Sequence, residues 1–304
     1  MTSACYPHAL VKIGFIMSTQ ENTISLDAPL DEEFVVFPET TQKSLARLDI
    51  KQSLVLWRTW FMLAYQDIKL RYRRSVLGPF WITLSMAITV YSMGFLYGRL
   101  FHIELEQYYP FLVAGMLSWS LISNVVIEMI DGLVNSESLI KQIKLPYTLY
   151  IHRIAARNIL IFFHNILVIV PILAIFHHYA KVNFYTLLLI PSLLIIYVNS
   201  ISYGLILGMI GARYRDVSQI VKSLIQVVFF VTPVMWAPNV LGRRGSFIVD
   251  ANPFYAFIEI VREPLLGHLP TVGNLLMVIV VTLLGLLISY HMFIKYRTRI
   301  IYWI

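Results

Sequence analysis

IKLRYRRSVLGPFW, residues 68–81, sets four cations among its first seven residues and then runs through Gly78 and Pro79 into a long uncharged stretch. No residue between Arg74 and Arg99 is formally charged. As a helix, rising about 1.5 Å per residue, that run is long enough to cross the roughly 30 Å hydrocarbon core of a bilayer. Pro79 falls in the first turn, where a helix tolerates it. The stretch therefore reads as a membrane surface, with cations held at anionic headgroups and a helix entering lipid beyond them.

The rest of the chain has the same character. Of 304 residues, 58% are hydrophobic and 13% charged, and the mean hydropathy is +0.70, more apolar than a soluble domain can bury. The net charge of +7 is scattered in short clusters between apolar blocks, without the basic face that nucleic-acid binding requires. One cysteine, Cys5, excludes an internal disulfide framework and a Cys-rich metal site. The first residues fail as a cleaved signal peptide, because Pro7, His8 and Lys12 interrupt the apolar stretch; Met17 is an alternative start.

Residues 1–45 read as a flexible cytoplasmic tail, polar and in places acidic (LDAPLDEEF, 26–34). Residues 46–78 read as an amphipathic interfacial helix. Leu54, Trp57, Phe61, Ala64, Ile68 and Tyr72 share one stripe, Gln66, Lys69 and Arg73 lie opposite, and Asp67 is spaced to pair with Arg71 one turn on. Charge-poor runs then predict six spans, near 79–98, 110–131, 155–176, 184–211, 217–235 and 271–293, followed by a cytoplasmic tail at 294–304. The stretch 236–268 contains NPFYAFIEIVREPLLG, too short and too charged to cross, and is expected to form short re-entrant helices on the outer side. The fold class is thus all-α integral membrane, six spans with both termini cytoplasmic. Cation clusters at 69–74, at Lys141, Lys144 and Arg153, at Arg213 and Arg215, and at 295–299 fall on one side, the expected cytoplasmic one.

There is no P-loop, no H-E-x-x-H, no G-x-S-x-G and no polar domain able to hold a nucleotide fold. Any ATP is therefore hydrolysed by another chain. The ionisable residues within spans are few. Glu128 and Asp131, at the inner end of span two, are spaced to hydrate or to pair with Lys141, and His164 with Asn165 reads as an interhelical hydrogen-bonding pair.

The ordered landmarks RYRRSVLGPFW, YPFLVAGMLSWSLIS, SLIKQIKLP, ARYRDV, FFVTPVMW and NPFYAF resemble the membrane subunit of the ATP-binding-cassette type-2 polysaccharide exporters, over residues 50–293. The resemblance implies a homodimer with two copies of a nucleotide-binding ATPase, which would bind ATP and Mg, in the bacterial inner membrane. The cargo would be a polyprenyl-pyrophosphate-linked glycan such as O-antigen or capsule. It implies a coupling helix over 137–146 that seats on the ATPase. Ser138 opens that segment, Leu139, Ile140 and Ile143 supply apolar knobs, Lys141 and Lys144 rim cations, and Pro146 a stop. Arg213, Arg215 and Asp216 would form a lesser contact, or simply anchor the helix ends in the membrane.

Arg71, Arg73 and Arg74 would meet the lipid pyrophosphate, since guanidinium binds phosphate bidentately; attraction to bulk anionic lipid is the competing reading. Tyr91, Tyr97, Trp119, Phe229, Phe230 and Trp236 would line a channel along which sugar rings slide, or belong to the interfacial aromatic belts. Asn252, Pro253, Glu259 and Arg262 would form an outer gate. The same scaffold serves exporters of drugs or small lipids. A membrane glycosyl- or acyltransferase is a further alternative, resting on Glu259 and His268 as candidate bases.

Overall fold

The computed structural model describes residues 39–100, 104–176, 183–238, 247 and 249–304. Every regular element among them is helical: α1 Glu39–Val55, α2 Trp57–Arg71, α3 Phe80–Leu100, α4 Leu105–Ile130, α5 Glu137–Gln142, α6 Tyr147–Asn165, α7 Ile169–Ile175, α8 Leu189–Arg213, α9 Arg215–Val231, α10 Pro253–Leu266, α11 Val272–Tyr296 and α12 Ile300–Trp303. Five units among the described residues are long and apolar enough to cross a membrane: Phe80–Leu100, Leu105–Ile130, Tyr147–Ile175, Phe184–Arg213 and Val272–Trp303. The protein is a multi-pass membrane protein.

The run expected as span five, 217–235, differs from these. It forms α9, 17 residues long, about 26 Å of helix against roughly 30 Å of hydrocarbon. Pro233 ends it early, because the residue before a proline is pushed out of the α region, and Thr232 is extended at φ −88°, ψ 135°. Of the segment 236–268, expected to hold short re-entrant helices, the described part contains the helix α10 of 14 residues; residues 239–246 and 248 lie outside the described residues. Asn252 caps α10 by accepting from the Phe254 amide at 2.9 Å, Pro253 occupies the first position, and Gly267 ends it at φ 81°.

α4 is the central helix, packed by α3, α6, α8, α9 and α10. Against α8 the approach is close enough to require glycine: a Cβ on Gly211 would lie 1.9 Å from the Ile130 carbonyl oxygen. Small residues serve such crossings in lipid, where association depends on packing and hydrogen bonds. The outward surface of α3 and α11 carries Ile88, Leu96, Leu283 and Leu287, each at least half exposed. In water such surface would be a liability; in hydrocarbon it is the expected face.

The amino-terminal region is two helices that bend at Leu56 (φ −83°, ψ 30°), and α1 starts at Glu39, inside the stretch expected as a tail. Asp49 explains why α1 folds. Its carboxylate, 1% exposed, accepts from the Tyr147 and Thr148 amides at 3.1 Å each and from the Thr148 hydroxyl at 2.7 Å, so it caps α6 from another helix. Arg297 completes the set with Nε at 3.0 Å and Nη2 at 2.9 Å. The carboxy-terminal segment is therefore docked, with Phe293 and Ile300 fully buried. Removing one member of a buried ionic set leaves the other uncompensated, at roughly 3–5 kcal/mol. Asp49→Ala should lower stability by about 3 kcal/mol, read as an earlier melting transition of detergent-solubilised protein, whereas Lys51→Ala on the exposed face should leave it unchanged.

Candidate functional site

At the cation-rich end of the bundle, α2 turns inward a face that carries one carboxylate, Asp67, between small and apolar residues, while Gln66 and Lys69 stay exposed. Trp57, Phe61 and Leu70 are exposed, while Ala64 and Ile68 are buried and Asp67 faces α6. Asp67 does not pair with Arg71. It receives Arg153 through Nη2 at 2.5 Å and Nε at 2.8 Å, and Arg157 through Nη1 at 2.5 Å. Arg157 also donates to Glu128 at 2.9 Å, as does Asn158 at 2.6 Å, and Arg71 reaches the other Glu128 oxygen at 3.3 Å. Tertiary partners half surrounded by protein outweigh a solvated one-turn pair, which contributes only about 0.3–0.5 kcal/mol. The expected Lys141 partnership is also corrected: Asp131 holds Lys222 of α9 at 2.6 Å, and Lys141 holds Glu137 at 2.7 Å.

Beside this cluster lies a cavity of about 550 Å³ bounded by the end of α2 and by α3, α4 and α6. Arg71 and Glu128 are at its mouth, with Tyr72 and Trp81, and amides and hydroxyls continue inward. Arg73 and Arg74 are exposed and not among its lining residues. Arg74 adopts a left-handed backbone at φ 71°, uncommon for a residue with a side chain, where the chain turns from α2 toward α3. Of the expected interhelical pair, the His164 ring bonds within its own helix, with Nδ1 2.8 Å from the Leu160 carbonyl oxygen, while its backbone carbonyl accepts from Thr83 of α3 at 3.0 Å.

The segment 137–146 is a short helix, α5, followed by extended residues up to Pro146 at the start of α6. Of the three expected knobs, Ile140 turns inward and is 7% exposed, Leu139 is half-buried against the core, and Ile143 projects at 49% exposure. Lys141 and Lys144 are exposed with it, as is Ser138. The Lys141 hydrogen bond, together with the charges of Lys141 and Arg215, holds the Glu137 carboxyl below its ordinary range, which places the second loop near α5. Arg213 lies over Tyr214 at 5.1 Å and Trp303 at 5.4 Å, and Arg215 and Asp216 are exposed.

The aromatic set divides. Trp119 is 5.5 Å from Phe229 and 6.2 Å from Phe254, Phe230 abuts Phe229 at 5.3 Å, and the Trp236 indole donates to the Phe230 carbonyl at 3.4 Å. Tyr91 instead donates to the Val168 carbonyl at 2.7 Å, and Tyr97 is half-buried against the main core. Neither joins the Trp119 cluster.

Of the residues expected at an outer gate, Glu259 and Arg262 form a buried strut. Arg262 is fully buried, bonded to Glu259 at 3.1 Å and to the Pro233 and Val234 carbonyls at 2.8 and 3.0 Å, with its guanidinium 4.1 Å from the Phe111 ring centroid. It ties α10 and the end of α9 to α4. Asn252 adds a second tie, donating to the Thr232 hydroxyl at 2.9 Å. Glu259 and His268 form no catalytic pair, since Glu259 is committed to Arg262 and His268 lies 3.3 Å from Glu263.

A family description, ABC-2 type transporter, matches residues 58–266, well over half of the chain. The chain belongs to the ABC-2 type transporter family. Membership makes it a transporter subunit and not an enzyme, and implies an ATPase partner. It is 22% identical over 207 residues to an O-antigen export system permease protein RfbA of Klebsiella pneumoniae, covering 66% of this chain and 78% of that one. It is 23% identical over 204 residues to RfbA of Myxococcus xanthus, covering 64% and 75%, and 23% identical over 246 residues to the polysialic acid transport protein KpsM of Escherichia coli, covering 78% and 92%.

Sequence reasoning missed the roles of Asp49, Asp67 and Arg157 in this ABC-2 subunit. The spacing Ser120, Asn124, Glu128 was the available signal, because steps of four place all three on one helix face. Gly115 gives the strut its room: a Cβ there would lie 2.4 Å from Arg262 Nη2 and 2.6 Å from the Val234 oxygen. Gly115→Ala should displace the guanidinium from its carbonyls and lower stability by about 2 kcal/mol, while Gly273→Ala, which meets open space, should not. Melting temperatures of the two variants make the comparison.

Proposed function

We propose that this chain is the membrane half of an inner-membrane exporter of lipid-linked polysaccharide. It acts as a homodimer with two copies of a partner ATPase that binds ATP and Mg, with both termini in the cytoplasm. The observation that carries the reading is the cavity of mixed polar and apolar lining with the Arg71 guanidinium among its residues, in a family whose named relatives export O-antigen and polysialic acid. Arg71 stands where a lipid diphosphate in the inner leaflet would present itself, and Arg73 and Arg74 add positive potential along the approach. Phe229, Phe230 and Trp236 offer stacking faces for sugar rings farther along the path, with the buried Trp119 backing Phe229. The second copy seats on α3 and α9, two transmembrane-region helices with little buried surface in the protomer.

Ile143, Lys141 and Lys144 form the exposed tip that enters the ATPase, and Ile140 anchors that tip to the bundle. A drug or small-lipid exporter is the second reading, favoured by the apolar cavity of about 440 Å³ between α4, α8, α10 and α11. Reconstituted with its ATPase, the complex should hydrolyse ATP faster with polyprenyl-diphosphate glycan than without it. Stimulation by apolar drugs alone would select the second reading.

The two isoleucines separate coupling from folding. Ile143→Asp should abolish ATPase co-purification at normal expression and melting temperature. Ile140→Asp should reduce expression itself, because a buried, unpaired carboxylate destabilises by several kcal/mol.

A further inference from the structure

Three helices furnish the cavity beneath α2 with polar side chains at whole-turn spacing: Ser85 and Thr89 on α3, Ser120 and Asn124 on α4, Asn158 and Asn165 on α6. Steps of four and seven keep each pair on one helix face. The eight residues from Ser120 to Glu128 amount to a depth of about 12 Å. Because α6 runs opposite to α4, Asn158 lies at the level of Glu128, while Ser120 and Asn165 form the deep end; the Thr83 hydroxyl donates to the His164 carbonyl at 3.0 Å, which sets the start of α3 beside Asn165 and leaves Ser85 and Thr89 on its exposed side.

Hydrogen bonding within this set is incomplete. The Asn124 amide donates to Ser120 at 3.3 Å, the Asn158 amide is committed to Glu128 and the Ile154 carbonyl, and Thr89 donates to the Ser85 carbonyl. Asn165, only 5% exposed, holds its Oδ1 buried without a hydrogen-bond partner among the described residues. An unmet buried acceptor is destabilising by about 1–3 kcal/mol, which a ligand bearing a donor would relieve. The ladder offers neutral donors and acceptors. Its one carboxylate, Glu128, is already neutralised by Arg157, and an aromatic ring, Trp81, sits on the rim. The ladder alternates with Ile82, Met86 and Ile161, a mixed lining that matches the hydroxyls and C–H faces of a sugar ring better than an acyl chain, which would leave the amides unmet.

We propose that this cavity holds the sugar ring attached directly to the lipid diphosphate. The ring hydroxyls bond to the amides and hydroxyls of the ladder, the ring's C–H face rests on Trp81, and Arg71 meets the phosphate at the mouth. The inference rests on the exporter reading and adds to it a site that senses the first sugar.

The test uses the complete complex with its ATPase in lipid nanodiscs and two probes, polyprenyl diphosphate and polyprenyl diphosphate carrying one hexose. The sugar-bearing probe should bind about tenfold more tightly. Asn165→Leu and Asn124→Leu should each erase most of that difference, with the bare probe still bound, which also certifies the fold. Arg71→Gln should weaken both probes. If an asparagine variant fails to fold, Ser85→Ala with Ser120→Ala should reduce the difference in its place. Equal binding of the two probes by the unaltered protein, as for a cavity that holds only water, overturns the proposal, as do asparagine variants that leave the difference intact or weaken both probes alike. If neither probe binds while an apolar drug stimulates hydrolysis, the exporter reading itself fails, and this site fails with it.

Discussion

A charge carried toward hydrocarbon must arrive already paired, and in this protein the pairing of Asp67 and Glu128 with Arg153 and Arg157 meets that constraint for three helices together. α2 contributes the first acid, α4 the second, and α6 both guanidiniums. None of these helices could seat alone, because each would leave its ionised groups in a medium of low dielectric. The cluster thereby determines which face of α2 turns inward, and the inward turn of Asp67 leaves Trp57, Phe61 and Leu70 for lipid. The cavity mouth follows, since Arg71 comes to Glu128 only when α2 lies in that orientation.

Much of the bundle was legible because an uncharged run of sufficient length has few alternatives. Residues 79–98 and 184–211 were expected as spans, and the helical units are Phe80–Leu100 and Phe184–Arg213. Legibility failed where a tertiary contact overruled a local rule. Span three was expected from 155, but the helix begins at Tyr147, because Asp49, a hundred residues upstream, caps it and Asp67 neutralises Arg153. Composition alone registers His152 and Arg153 as reasons to exclude those residues. Asp67 was assigned to Arg71 for the same reason: spacing reveals the neighbour one turn away and conceals the helix lying across. Ile140 shows the limit of reading amphipathic pattern on a six-residue helix, which has both a protein side and a partner side while the sequence prints one set of apolar residues.

The two halves of α4 are held differently. In its first half, Gly115 admits a fully buried Arg262 that binds backbone carbonyls and a ring. Those contacts are short-ranged, numerous and sealed from solvent, so that half is stiff. Near its finish, Glu128 and Asp131 are held by side chains that remain partly exposed, Arg71 and Lys222 among them. Exchange of the exposed partners Arg71 or Lys222 alters the energy by about 1 kcal/mol or less, while Arg157 and Asn158 keep Glu128 tied to α6.

α5 joins the end of α4 to the start of α6, the two helices that share the ionic cluster and most of the polar wall of the cavity. A force applied at Ile143 therefore reaches the cavity within one connection, through Ile140 on one side and through Pro146 and the Asp49 cap on the other. Asp49 also holds Arg297, so the carboxy-terminal helix is part of the same joint. Movement of α5 cannot be absorbed by fraying of the first turn of α6, because that turn is clamped by a buried carboxylate. Under the coupling proposed above, such movement would be passed on as displacement of α6 relative to α4, the helices that carry Asn158 and Asn124.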